Sequence, residues 1–171
     1  NAVHVTHMNG KIDLDHVTLT FDGNKILDDI TMHIPAGATV GIMGPTGSGK
    51  SSILNLITRF VDTNKGQVLI DDIDVRRYNL QDLRRNIGIA LQDVFLFSDT
   101  VESNIAYGVP EAPNETVYGA AADADADGFV KRLPDGYDTI VGERGMGLSG
   151  GQKQRLALAR ALAMESPILI L

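Results

Sequence analysis

From Lys11 to Phe21 the chain reads KIDLDHVTLTF, alternating polar and apolar residues and rich in β-branched side chains. A period of two predicts a half-buried strand, because successive strand side chains point to opposite faces. Asp22–Asn24 is a turn signal, Lys25–Ile34 reads as the returning strand, and Pro35–Gly37 breaks it. Thr39–Gly44, TVGIMG, is short and apolar, the pattern of a central strand of a parallel sheet. A Gly-rich loop then opens a helix reaching roughly Phe60. The turn Asp62–Gly66, the strand Gln67–Asp71, a helix around Leu80–Arg85 and the strand Ile87–Gln92 follow.

From about Val94 to Val141 the chain becomes Ala-rich and Asp-rich, with apolar residues at helical spacing, so short helices are expected. Leu133–Thr139 reads as a loop. LSGG then opens a long helix through Met164, with Leu158 and Leu162 on one face and Lys153 and Arg155 elsewhere. Ser166 and Pro167 stop it, and Ile168–Leu171 reads as a buried strand of a parallel sheet. Strands alternating with helices behind a β-rich leader predict an α/β domain with a helical insertion.

Composition narrows the classes. At 171 residues one domain is expected, and 43% hydrophobic residues suffice for a sizeable core. The net charge of −7 argues against a nucleic-acid partner, which needs a basic face. Without cysteine there is no disulfide framework and no thiolate metal site. No run of about 18 apolar residues reads as a membrane span, and no signal peptide is evident. The chain starts at Asn1 rather than Met, pointing to a piece of something longer.

GPTGSGKS (Gly44–Ser51) matches the phosphate-loop pattern G-x-x-x-x-G-K-[ST] without mismatch, between a predicted strand and a predicted helix. Its glycines let backbone N–H groups turn inward around a phosphate chain, and the helix start adds partial positive charge there. Lys50 can reach β- and γ-phosphates, and the Ser51 hydroxyl can ligate Mg²⁺. LSGGQ (Leu148–Gln152) is a second Gly-rich helix start, with Ser149 as N-cap and Gly150 and Gly151 leaving amides uncovered. Alone it could be an ordinary capped helix.

GPTGSGKS, LQDVFLFSDTVESNIAYG and GERGMGLSGGQKQRLALARAL, in this order, resemble the nucleotide-binding domain of an ABC transporter, with a spacing that suits the exporter branch. The resemblance runs from about Ile12 to Leu171. It implies a P-loop NTPase: a RecA-like core with an N-terminal antiparallel β subdomain and a helical subdomain insertion. On that basis residues 1–93 and 145–171 form the core with its β leader, and residues 94–144 the helical subdomain. ATP would be held by Gly44, Pro45, Thr46, Gly47, Ser48, Gly49, Lys50, Ser51 and Ser52. Ser149, Gly150, Gly151 and Gln152 would reach it in trans from a second nucleotide-binding domain, identical or not, bound head to tail. Lys50 and Gln92 take the catalytic roles, and Ser51 and Gln92 the Mg²⁺ contacts. Phe21 stands where exporters carry an adenine-stacking aromatic, and stacking is the favoured reading, the alternative being a core residue that shares one predicted strand face with Val17 and Leu19. Glu143, in GERG, stands in a segment thought to touch the transport domain, the alternative being a solvated loop residue. The resemblance further implies transmembrane partner domains, a place at the cytoplasmic face of the membrane, and export powered by ATP-driven dimerisation and hydrolysis.

In the family, the strand matching ILIL is followed by an Asp that holds Mg²⁺ through water and a Glu that polarises the attacking water, and later by a γ-phosphate-touching His. The chain ends at Leu171, and His4, His7, His16 and His33 all precede the phosphate loop. The expectation is a C-terminally incomplete domain, deficient in hydrolysis as it stands. DADADG (Asp123–Gly128) copies half of a calcium loop, but Pro134 stands where a bidentate Glu is required, so no Ca²⁺ site is expected. A soluble ABC ATPase acting on nucleic acid or ribosomes is disfavoured by the acidic charge and by DVFLFSDTVESNI. A small P-loop kinase would lack LSGGQ.

Overall fold

The structure is a computed structural model that describes residues 2–91, 93–142 and 147–171. The chain divides into two compact units, residues 1–86 and 87–171.

In the first unit, strands β1 (Ile12–Phe21), β2 (Asn24–Ile34), β3 (Lys65–Ile70) and β4 (Ile73–Asp74) form an antiparallel sheet in the order β2-β1-β3-β4. The alternation of β1 buries Ile12 and Leu14. Register shifts after Leu14 and after Val17 then break the period, so Val17, Thr18 and Leu19 are buried in succession. At the β1–β2 turn, Asp22 and Gly23 both take positive φ (48° and 79°), as a right-twisted two-residue hairpin demands. Asp71 and Asp72 do the same between β3 and β4, at 49° and 65°. The Asp71 carboxylate also accepts the backbone N–H groups of Asn9 and Lys11 at 2.6 and 3.1 Å, fastening the N-terminal segment.

Helix α1 (Lys50–Ile57) buries Ile53, Leu56 and Ile57. Helix α2 (Leu80–Arg85) falls where the sequence places it, because the Asn79 side chain caps it by accepting from the N–H groups of Gln81 and Asp82. Thr39–Gly44, expected as a central strand, joins no sheet among the described residues. Met43 is 93% exposed. An apolar run becomes a strand only where a neighbour takes up its backbone hydrogen bonds, and the described residues supply none.

In the second unit, β5 (Ile87–Ile89) pairs in parallel with β8 (Ile168–Ile170), and β6 (Asp99–Thr100) pairs antiparallel with β7 (Ile140–Val141). Ile168 and Ile170 are buried, whereas Leu169 is 42% exposed. The terminal run is therefore buried on one face rather than the two its apolar composition implies. Helices α3 (Val101–Ala106), α4 (Asn114–Asp123), α5 (Asp127–Val130) and α6 (Gly150–Ala163) enclose a core with Val101, Ile105, Val117, Leu156 and several alanines. Small side chains such as Ala121 and Ala159 let the helices approach closely.

One polar network ties α6 to α3. The Arg160 guanidinium donates to the carbonyls of Asn104 (2.7 Å) and Phe95 (2.9 Å) and to Asn104 Oδ1 (3.0 Å). The buried Asn104 amide in turn donates to the carbonyls of Phe97 and Thr100, each at 3.0 Å, and Asn104 Oδ1 accepts the Phe97 N–H at 2.9 Å. Removing Asn104 leaves buried donors and acceptors unmet. Asn104→Ala is expected to cost about 2–3 kcal/mol in urea unfolding, and a loss below about 0.5 kcal/mol, the scale of an ordinary surface change, would contradict this account.

Candidate functional site

The glycine loop lies in the first unit. Gly47 and Gly49 adopt φ of 82° and 91°, a region that glycine enters without penalty. A Cβ on Gly44 would stand 2.7 Å from Ser48 Oγ. One on Gly49 would stand 2.8 Å from Leu27 Cδ2 and 3.0 Å from the Ile26 carbonyl oxygen. The Ser48 N–H donates to the Pro45 carbonyl at 3.2 Å, closing the turn.

Gly49 is the N-cap of α1 and offers no side-chain cap, and the first turn has no acidic residue. The opening amides of the helix are thus available to an external anion. Lys50 bends its ammonium back over the loop, donating to the carbonyls of Gly44 (2.7 Å) and Pro45 (2.8 Å). Gly44, Pro45, Thr46, Gly47, Ser48 and Ser51 are exposed, and Ser52 is half-buried. A loop closed to side chains, open to solvent, free of carboxylates and headed by an ammonium fits a polyphosphate chain.

Phe21 ends β1 with 66% of its surface exposed, so the core alternative fails: the register shifts turn its ring out of the set that buries Val17 and Leu19. It pairs with Asn24 across the hairpin, three residues from Leu27, which meets the loop at Gly49. At strand spacing that is roughly 10 Å along β2.

The second glycine motif lies in the second unit. Ser149 Oγ accepts the Gln152 N–H at 3.3 Å, and Gln152 Oε1 accepts the Ser149 N–H at 2.8 Å. This reciprocal capping box employs the Gln152 side chain and leaves Gly150 and Gly151 exposed with open space around them. Gln92 and Glu143 lie outside the described residues.

His4, His16 and His33 pair with Asp82, Asp29 and Asp13. The pseudo-calcium loop is split between α4, which ends at Asp123, and α5, which begins at Asp127. The Asp125 carboxylate engages Arg155 at 2.8 Å, and that of Asp127 engages Lys131 at 2.9 Å and the Tyr137 hydroxyl at 2.8 Å. Lys131 first, then Tyr137, holds the Asp127 carboxyl below its ordinary value, and burial followed by the Asp127 contact pushes the Tyr137 phenol up. Among the described residues no three metal-ligating side chains converge. Two features are not legible in the sequence: the Leu27–Gly49 contact, and the role of Arg160, which shows there only as a cation among the alanines and leucines of α6.

An α/β chain whose glycine loop opens a helix headed by lysine is a P-loop NTPase. The sequence profile of the ABC transporter family matches residues 27–171, and the chain belongs to that family. It is 47% identical over its whole length to the ABC transporter ATP-binding protein YknU of Bacillus subtilis, covering 30% of that protein. It is 50% identical, over 95% of its length, to a Staphylococcus aureus protein named for multidrug export, an ATP-binding/permease protein of which it covers 28%. The solved structure of a bacterial Atm1-family ABC exporter with ATP bound matches 99% of the chain at 44% identity with a TM-score of 0.94, the chain covering 30% of it. The chain thus spans less than a third of the relatives it matches.

Calcium titration by calorimetry is expected to show no site of micromolar or better affinity at Asp123–Gly128. Such a site, lost in Asp125→Ala, would reverse this reading.

Proposed function

We propose that the chain is the ATP-binding part of an ABC exporter, carrying residues 1–93 and 145–171 as core with β leader and residues 94–144 as helical subdomain. The observation that carries this reading is the uncapped glycine loop with Lys50 folded across it. The Lys50 ammonium leaves the carbonyls of Gly44 and Pro45 for phosphate oxygens, while the loop from Gly44 to Ser52 wraps the chain of phosphates, with the opening amides of α1 at Lys50 and Ser51 donating to it. The exposed Phe21 ring stacks on the adenine. Ser51 and Gln92 hold Mg²⁺, which neutralises phosphate charge when bound. Lys50 stabilises charge on the transferring phosphoryl group, and Gln92 orients the attacking water.

Ser149, Gly150, Gly151 and Gln152 approach the nucleotide of a second domain bound head to tail, identical or not. The open glycines support this, because they present α6 amides without side-chain cover. Glu143 contacts transmembrane partner domains at the cytoplasmic face of the membrane, and nucleotide-driven closure and opening of the dimer drives export. The export relative and the ATP-bound exporter structure support that assignment. No membrane-spanning helix occurs among the described residues.

Titration calorimetry with Mg·ATP tests the reading. Lys50→Ala removes a charge-assisted contact worth roughly 1.5–3 kcal/mol, or about a ten- to hundredfold loss of affinity. Equal affinity in both proteins would refute the phosphate-loop reading. Phe21→Ala is expected to weaken binding by about 1–3 kcal/mol, the scale of a base stacked on an aromatic ring, with Phe21→Tyr close to the parent.

A further inference from the structure

We propose that Leu27 is a positioning residue of the phosphate loop, an inference that rests on the nucleotide reading of that loop. Strand β2 has a single buried residue, Leu27, at 4% exposure. Its flanking residues Ile26 and Asp28 are exposed, and the rest of β2 is exposed or half-buried. Leu27 is paired with Leu19 of β1, and its side chain also meets the backbone of Gly49. A Cβ there would stand 2.8 Å from Leu27 Cδ2, closer than real Cβ atoms approach, so loop backbone and leucine side chain are in full contact.

Gly49 is the cap of α1 and directly precedes Lys50. The position of its Cα fixes where the first amides of the helix point and where the Lys50 ammonium starts. The loop itself supplies little to hold that position. Gly44, Gly47 and Gly49 contribute no side chains, and Gly44, Pro45, Thr46, Gly47 and Ser48 are exposed. Close-packed contacts resist displacement because even a gap of half an ångström forfeits much of the dispersion attraction. Leu27 is therefore the floor on which the C-terminal end of the loop rests. A shorter side chain leaves a void there, and the loop gains freedom that must be lost again when an anion binds. The hairpin that carries Leu27 also carries Phe21 at its turn, so one two-stranded element sets both ends of the nucleotide site.

The test uses the purified protein, with Leu27→Ala, the milder Leu27→Val, the volume-conserving Leu27→Met, and Leu14→Ala as control. Leu14 is equally buried in the same sheet but pairs with Met32, five residues farther along β2 from Leu27. Mg·ATP affinity is measured well below every melting temperature, alongside competition by inorganic tripolyphosphate. Leu27→Ala is expected to weaken both ligands at least fivefold, Leu27→Val to a lesser degree, and Leu27→Met to return to within twofold of the parent. Leu14→Ala lowers the melting temperature comparably and leaves both affinities unchanged. Parent-like affinity in Leu27→Ala and Leu27→Val, or an equal loss in Leu14→Ala, overturns the proposal while leaving the nucleotide reading standing. A parent protein that binds neither ligand, with or without Lys50→Ala, overturns the nucleotide reading itself and this inference with it.

Discussion

The first unit depends on one close approach, the Cα of Gly49 against Leu27 and the Ile26 carbonyl of β2. Only a residue without a side chain fits there, and only glycine takes the accompanying φ of 91° without cost. From that contact follow the direction of α1, the exposure of its first amides and the reach of Lys50. The sheet underneath supplies the rigidity: β1 is bonded on both sides, to β2 and to β3, so the hairpin that carries the contact cannot shift alone.

The two glycine-rich helix starts look alike in sequence and differ in chemistry. Ahead of α1 stands a bare Gly49 in a left-handed conformation, and nothing from the chain's own side chains caps the helix. Ahead of α6 stands Ser149 in an extended conformation, and its hydroxyl and the Gln152 amide satisfy each other's backbone partners. The first arrangement leaves binding capacity for an anion. The second has a well-defined start whose exposed surface is the backbone of Gly150 and Gly151. Farther along the same helix, Arg160 ties α6 to Asn104 and to the carbonyl of Phe95, and its guanidinium lies over the Phe97 and Tyr107 rings at 5.6 and 5.7 Å. Burial lowers the Arg160 pKa, yet the guanidinium stays charged because its donors meet oxygen acceptors.

An acidic protein with a polyphosphate site must keep its own carboxylates from opposing the ligand. From Gly44 to Ser52 the sequence contains none, and Lys50 is its sole charge. Acidic residues of the sheet and its β3–β4 turn have partners of their own: Asp13 and Asp72 with Lys11, Asp15 with the Gln67 amide, Asp28 with Lys25, Asp29 with His16, and Asp74 with Arg76. Net charge therefore says little about the local field at the loop, which is set by the helix start and one ammonium.

The sequence by itself determined much of what depends on neighbours a few residues away. The alternation at the start of β1, the turn signal at Asp22–Asn24, the helix around Leu80–Arg85, the Ser149 cap of α6 and the phosphate-loop pattern are local, and local chemistry is written in order along the chain. Tertiary structure alone decided what depends on partners far away in sequence. Thr39–Gly44 has the composition of a central strand, but a strand exists only through the hydrogen bonds of a neighbour, and among the described residues none pairs with it. Leu169 sits in an apolar run that reads as buried on both faces, yet it has cover on one face only. Phe21 follows Leu19 at the strand period, and the register shifts within β1, invisible in the pattern, turn its ring outward. Leu27 reads as one apolar residue among several in β2. Its role comes from Gly49, 22 positions later in the sequence, through a contact that exists only because the fold brings a bare backbone against it.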